Sequence, residues 1–223
     1  MNCTSCQKPM QGSLLVCAAC GAVQGDGAAA IDYFQALGVE RKFGLNAGDL
    51  EREFHRLSRR LHPDRFVRAT AEEQQNSLRA TALLNDAWRT LRDPVERVEY
   101  LLKIEGHAVG EEHAGKGKSA ERQPPPDLLE EVFELNMQLE ELRMSQKMGE
   151  TAEASVVADL TASATRFEAM LQTVDERLAV EGAKWDSGES RAQAASRMIE
   201  LLDRRRYVRN LVRDVRETLK TAA

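Results

Sequence analysis

Four cysteines, Cys3, Cys6, Cys17 and Cys20, form two Cys-x2-Cys pairs separated by ten residues, all within the first twenty positions. Each pair can turn two thiolates toward one point, and two such turns supply the tetrahedral sulfur shell that zinc prefers. A closed shell of four sulfurs leaves no open position for a hydrolytic water, so the chemistry expected here is structural zinc. A redox pair or an iron centre is the alternative. Metal also organises a segment too short to build its own core. Gly12 and Gly21 suit the turns such a module needs. Its simplest role is to staple the N-terminus; a zinc-dependent docking surface, with a homodimer through the module as one form of it, is the other.

The second chemical group is the tripeptide His62-Pro63-Asp64. A histidine beside an aspartate raises acid–base catalysis, which also requires a nucleophile or a substrate pocket. None stands out. His55 lies near a helix face boundary, and His107 and His113 fall at or within a linker pattern. Taken alone, the tripeptide is a proline-broken turn whose flanking side chains satisfy local hydrogen bonds. Its context changes that reading. Arg52, Arg56, Arg59 and Arg60 make the preceding helix basic, and Arg65 carries the charge past the turn. Such a surface can dock onto an acidic protein, with His62 and Asp64 making oriented hydrogen bonds.

Helices must position these groups. Asp32 and Gln35 have capping-box spacing, Tyr33, Phe34 and Leu37 give a short apolar surface, and Gly38 suits the exit. A second helix is expected over 47–61, with Leu50, Phe54, Leu57 and Leu61 on one buried face. Pro63 opposes its continuation. Thr70 and Glu73 open the next helix, whose inward residues should include Leu78, Leu84, Ala87, Trp88 and Leu91. Asp93-Pro94 with Glu96 starts a fourth, carrying Val98, Leu101 and Leu102. Glycines, lysines and the triple proline at 124–126 mark a linker over 106–126. Beyond it Asp127 can cap a helix bearing Leu128, Val132, Leu135, Leu139 and Leu142. Two more patterns follow at about 151–181 and 188–220, the last with Met198, Leu201, Leu202, Leu211, Val215 and Leu219.

The expected fold is therefore all-α, with a zinc-knuckle module at 1–23, a short helical domain at 31–105, the linker at 106–126, and an antiparallel three-helix bundle at 127–221. Composition agrees. Of 223 residues 42% are hydrophobic but only 5% aromatic, and 30% are charged, which fits long helices joined by aliphatic stripes. The net charge of −5 disfavours a general nucleic-acid coat. No apolar run reaches membrane-spanning length, and the first residues lack the features of a secretory signal, so a cytoplasmic location is expected. A GxxxxGK[ST] phosphate loop is absent, and no catalytic constellation marks the chain as an enzyme.

Asp32–Val39, the basic helix before His62-Pro63-Asp64, and Asn85-Asp86-Ala87 together resemble a J domain. Arg92-Asp93-Pro94 through Tyr100-Leu101-Leu102, then Gly106 and the C-terminal helices, are similar to the HscB family of J-type co-chaperones of iron–sulfur cluster assembly. The tetracysteine module resembles an extension found on some eukaryotic members. The resemblance implies that 31–105 is a J domain that engages a DnaK/HscA-type chaperone through Arg52, Arg56, Arg59, Arg60, His62, Pro63 and Asp64 and stimulates its ATP hydrolysis. It further implies a surface on the C-terminal bundle for the cluster scaffold protein, at Phe133, Met137, Gln138 and Glu141, with Leu171 from the next helix. The family commonly has Leu-Met where this chain has Phe133-Glu134. Read from spacing alone, Phe133 and Met137 fit a core as well as a contact surface. Neither membrane nor nucleic acid is an expected partner, and the chain itself needs no nucleotide or iron–sulfur cluster. A zinc-containing nucleic-acid module, using the arginines at 52–60 and 204–209, and a general folding co-chaperone are the alternatives.

Overall fold

The computed structural model describes residues 1–25, 31–109, 125–149 and 153–222; most of the expected linker, His113 included, lies outside them. The chain divides into two compact units, Met1–His107 with Trp185–Glu189, and Ala108–Lys184 with Ser190–Ala223.

The first unit begins with the cysteine module, where isolated bridges pair Asn2 with Pro9 and Val16 with Val23. Helix α1 (Tyr33–Leu37) opens with the Asp32/Gln35 capping box and closes at Gly38 in the left-handed conformation. Helix α2 (Ala47–Leu61) starts at Asn46, whose side chain accepts the Asp49 amide. Pro63–Phe66 form a 3-10 turn, and the Thr70/Glu73 capping box then starts α3 (Ala71–Arg92). Asp93 accepts the Val95 and Glu96 amides to start α4 (Pro94–Ile104) on its proline. The α3 helix packs against α1, α2 and α4. Phe34, Leu37, Leu50, Leu57, Leu61, Leu84, Leu91, Leu101 and Leu102 fill the core.

Three expected inward residues differ. Leu78 is 53% exposed. At about 100° per residue it stands roughly 150° from the centre of the face of Ala80, Leu84, Ala87 and Leu91, and Ser77 takes the inward place. Phe54 and Trp88 are half-buried and stack with ring centroids 4.9 Å apart.

The second unit is built from α5 (Leu129–Met148), α6 (Ala154–Ser187) and α7 (Arg191–Ala222). Its core joins Val132, Leu135, Leu139 and Leu142 to Leu160, Ala164 and Phe167 and to Val208, Leu211, Val212 and Val215. Cross-helix partners fix the directions: Glu131 with Arg166, Glu168 with Arg216, and Asp175 with Arg205 run α6 against both neighbours. Gln146 at the end of α5 reaches the Thr218 carbonyl of α7. The expected cap at Asp127 is not formed. A 3-10 turn over Pro126–Leu128 precedes α5, and Asp127 instead takes both guanidinium nitrogens of Arg204 at 2.9 and 2.7 Å. A rigid two-point ion pair displaces the local cap. Helix α6 also runs past the expected stop at 181. Gly182 does not end it: the helix continues through the buried Trp185 and stops at Gly188, which is left-handed.

Candidate functional site

The four cysteines converge. Their sulfurs all lie within 4.8 Å of one another, with Cys3 and Cys20 3.7 Å apart and Cys6 and Cys17 3.8 Å apart. A tetrahedron with Zn–S bonds of about 2.3 Å has sulfur–sulfur edges of about 3.8 Å. The separations are much too long for a disulfide, and the donor set fits a structural metal such as zinc.

The two knuckles repeat one geometry. The Cys3 carbonyl accepts the Gln7 amide and the Cys17 carbonyl accepts the Gly21 amide, each at 3.0 Å. The Cys3 and Cys17 amides donate to Lys8 and Ala22 carbonyls, each at 2.9 Å. Gln7 and Gly21 hold the matching left-handed position, with φ of 60° and 77°. The sequence marks only the second of these with a glycine.

Without a cation the thiols are unequal. The Cys6 amide draws the Cys3 thiol down to about 6. The Cys20 amide likewise lowers Cys17. At Cys20 the Ala22 amide pulls downward, but burial and the three neighbouring thiols push it up to about 11. Four thiolates this close cannot share their charge unaided; a divalent cation offsets it.

Gln24 was not legible as part of this site. It is buried, donates to Cys3 Sγ at 3.5 Å and to the Ala22 carbonyl at 3.0 Å, and accepts the Thr4 amide at 3.0 Å. One side chain thus laces both knuckles together, a task that leaves no mark in cysteine spacing.

The module is tied to the helices at named points. The Leu14 amide donates to the Gln35 carbonyl at 3.0 Å and Ser13 Oγ to the Ala36 carbonyl at 2.5 Å. Gly38 lies so close to the Gly12–Ser13 backbone that a side chain there would overlap it. From the other side, Arg60 Nη2 donates to the Cys17 carbonyl at 3.2 Å.

His62-Pro63-Asp64 stands at the end of α2 in an open position. The His62 side chain is 55% exposed and that of Asp64 86% exposed. His62 Nδ1 accepts the Asp64 amide at 3.3 Å, which leaves Nε2 to carry the proton of a neutral ring. Ser77 Oγ and Thr81 Oγ1 of α3 donate to the Leu61 carbonyl at 2.6 and 3.1 Å, holding the peptide that enters the turn. On α2 itself Arg52 pairs with Asp49 and Arg56 with Glu53, while Arg59 is exposed. Surface pairs one turn apart are worth only ~0.3–0.5 kcal/mol, so an acidic partner can replace these acids at little cost.

In the second unit Phe133 is 67% and Met137 59% exposed, which removes both from the core. Glu141 is exposed, Gln138 is half-buried, and Leu171 is a half-buried residue packed on the core. Leu129, Met144 and Met148 are exposed as well. At about 100° per residue these five apolar side chains share one arc of α5, opposite the arc of Val132, Leu135, Leu139 and Leu142. Glu130, Glu134 and Glu141 line one edge of the exposed arc. The second basic stretch is differently disposed: Arg204, Arg205 and Arg206 pair with Asp127, Asp175 and Asp203. Arg204 and Arg205 brace the bundle across helices, whereas Arg206 and Asp203 lie one turn apart on α7 and Arg209 is exposed. No helix among the described residues is long and apolar enough to cross a membrane.

Comparison with known proteins gives the same geometry a lineage. The DnaJ domain profile matches residues 32–100. The co-chaperone protein HscB homologues of Aliivibrio fischeri strain MJ11 and Aliivibrio salmonicida are each 33% identical to this chain over 115 residues, which is 52% of the chain. The match spans 63% of the length of those relatives. Among solved structures, chaperone HscB from Vibrio cholerae is 26% identical with a TM-score of 0.58, covering 84% of this chain and 96% of that one. The crystal structure of human co-chaperone protein HscB shares the fold at a TM-score of 0.67 and 21% identity, covering 97% and 98%. The chain thus contains a DnaJ-domain match, is similar to HscB-type J-domain co-chaperones, and carries ahead of that match a tetracysteine cluster able to hold a metal.

Proposed function

We propose that this chain is a J-type co-chaperone of iron–sulfur cluster assembly, which brings a cluster scaffold protein to a DnaK/HscA-type chaperone and stimulates that partner's ATP hydrolysis. The observation that carries the reading is the open His62-Pro63-Asp64 turn at the end of a basic helix, within a matched DnaJ domain. Arg52, Arg56 and Arg59 supply charge to an acidic chaperone face, and His62 and Asp64 supply direction. Phosphate chemistry stays with the partner. The chain acts by binding one conformational state of the ATPase better than another.

The scaffold is assigned to the exposed face of α5, at Phe133, Met137, Gln138 and Glu141, with Leu171 as an outlying contributor. Its support is the continuous apolar arc that the bundle leaves uncovered. Carrying both surfaces on one chain raises the scaffold's effective concentration near the chaperone.

A steady-state ATPase assay with the partner chaperone, with and without scaffold, tests the proposal. His62→Gln should abolish stimulation while leaving far-UV circular dichroism and scaffold binding unchanged. Undiminished stimulation by that folded variant contradicts the assignment of the turn.

A further inference from the structure

We propose that Arg60 is a positioning residue that couples metal occupancy of the tetracysteine module to the orientation of the His62-Pro63-Asp64 turn. The inference rests on the co-chaperone reading for its functional consequence. Its structural half stands on the module alone.

Arg60 differs from the other α2 arginines in where its charge goes. Arg52 and Arg56 lie against acids of their own helix, and Arg59 faces outward. Arg60 is half-buried and its Nη2 donates to the carbonyl of Cys17, itself a metal-site cysteine. That carbonyl already accepts the Gly21 amide, the hydrogen bond that closes the second knuckle. Its direction is therefore set by the fold of the knuckle. Leu15 and Val16 of the module are buried, and beyond that anchoring the two cysteine turns are clamped to each other when a cation joins their thiolates and lose that clamp when the cation leaves. The acceptor for Arg60 is thus organised by the metal.

The other end of the link is equally direct. Arg60 stands two residues before His62, next to Leu61, whose carbonyl is held by Ser77 and Thr81. The last turn of α2 is gripped by α3 hydroxyls on one side and by the cysteine module on another. The ties at Ser13 and Leu14 end on α1, so they fix the module's base without constraining α2. Losing the metal should free the guanidinium and loosen the final turn of α2, with the segment through Phe66. A charge drawn onto a backbone carbonyl is also partly withdrawn from the docking face, which makes Arg60 a poorer direct contact than Arg59.

The test compares the full-length wild type, Arg60→Met and Arg60→Lys, each zinc-loaded and each after removal of zinc by a chelator. Two quantities are read: maximal stimulation of the Hsp70-type ATPase, and amide hydrogen exchange over residues 58–66 in the chain by itself. Zinc removal should lower maximal stimulation of wild type roughly three- to tenfold and speed exchange in that segment. Zinc-loaded Arg60→Met should already show the lowered stimulation and faster exchange, and stripping it should add little, the non-additivity expected of one shared link. Arg60→Lys, which keeps a donor, should retain part of both. Equal losses in wild type and Arg60→Met on zinc removal would overturn the coupling, as would no loss in wild type. So would an Arg60→Met variant with unchanged maximal stimulation and a raised, salt-sensitive half-saturating concentration, the mark of a docking contact. If zinc-loaded wild type gives no stimulation at all, the co-chaperone reading fails, and the exchange data still decide whether Arg60 transmits metal occupancy.

Discussion

Ser77 Oγ donates to the Leu61 carbonyl at 2.6 Å, so a hydroxyl on α3 holds the peptide that leads into His62. Thr81 adds a second, longer bond to the same oxygen. Ser77→Ala should cost about 1 kcal/mol, and with Thr81→Val about 2–3 kcal/mol, because the buried carbonyl then lacks both side-chain donors. The loss is read as a fall in melting temperature. Stimulation of the partner ATPase should fall further in the double variant than in a control destabilised equally elsewhere in the first unit. Parallel losses would show that the hydroxyls stabilise the unit without aligning the turn.

Phe133 and Met137 lie on the uncovered arc of α5, so Phe133→Ala with Met137→Ala should change stability by less than about 0.5 kcal/mol. Scaffold binding should weaken at least tenfold, a loss on the order of 1.4 kcal/mol or more. Stimulation measured without scaffold should not change. Unaltered scaffold affinity in the folded double variant, measured by titration calorimetry, would place the contact elsewhere.

Arg97 is buried, donates through Nε to the Leu91 carbonyl at 2.7 Å, and donates through Nη1 to the Phe43 carbonyl. Asp186 holds the same loop from its amides, accepting Phe43 N at 3.0 Å and Gly44 N at 2.8 Å. Burial pulls the Arg97 pKa down, yet its ordinary value is so high that it stays charged near neutrality. Arg97→Met keeps most of the volume but strands two acceptors. A loss of about 2–4 kcal/mol is expected from denaturant unfolding. A shift under 0.5 kcal/mol would mean that water replaces the guanidinium.

Metal affinity should fall in acid. Cys3, drawn down to about 6, is largely thiolate at neutral pH, whereas Cys20, pushed up to about 11, must give its proton to the incoming metal. The metal-bound fold therefore holds fewer protons than the unfolded chain, and the stability it contributes rises with pH. That contribution is present near neutrality and lost as pH falls toward and below about 6, when Cys3 also protonates. A chromophoric zinc chelator should capture zinc increasingly readily between about pH 7.5 and pH 5. A flat release profile across that range would exclude thiolate protonation as the release step.

Much of the fold was legible in the sequence because its signals act over three or four residues. Asp32 with Gln35, Thr70 with Glu73, and Asp93 before Pro94 each satisfy amides inside their own first turn, so distant packing hardly alters them. The paired cysteine spacing and the proline-broken turn after four arginines belong to the same local class. Asp127 shows the limit: a cap by sequence, it was drawn off by Arg204, a residue on another helix.

What only the tertiary structure decided is which face each helix buries and where its long side chains end. Helix α5 is apolar on opposite arcs, and periodicity alone cannot say which arc meets a neighbour; packing against α6 and α7 buried Leu135 and left Phe133 outside. Arg59 and Arg60 are adjacent and chemically identical, yet only Arg60 lies within reach of Cys17, because the fold brings a carbonyl 43 positions away to its guanidinium. Short-range chemistry wrote the helices and the metal ligands into the chain. Long-range packing alone gave each surface its use, since a side chain's exposure depends on neighbours that its own segment does not contain.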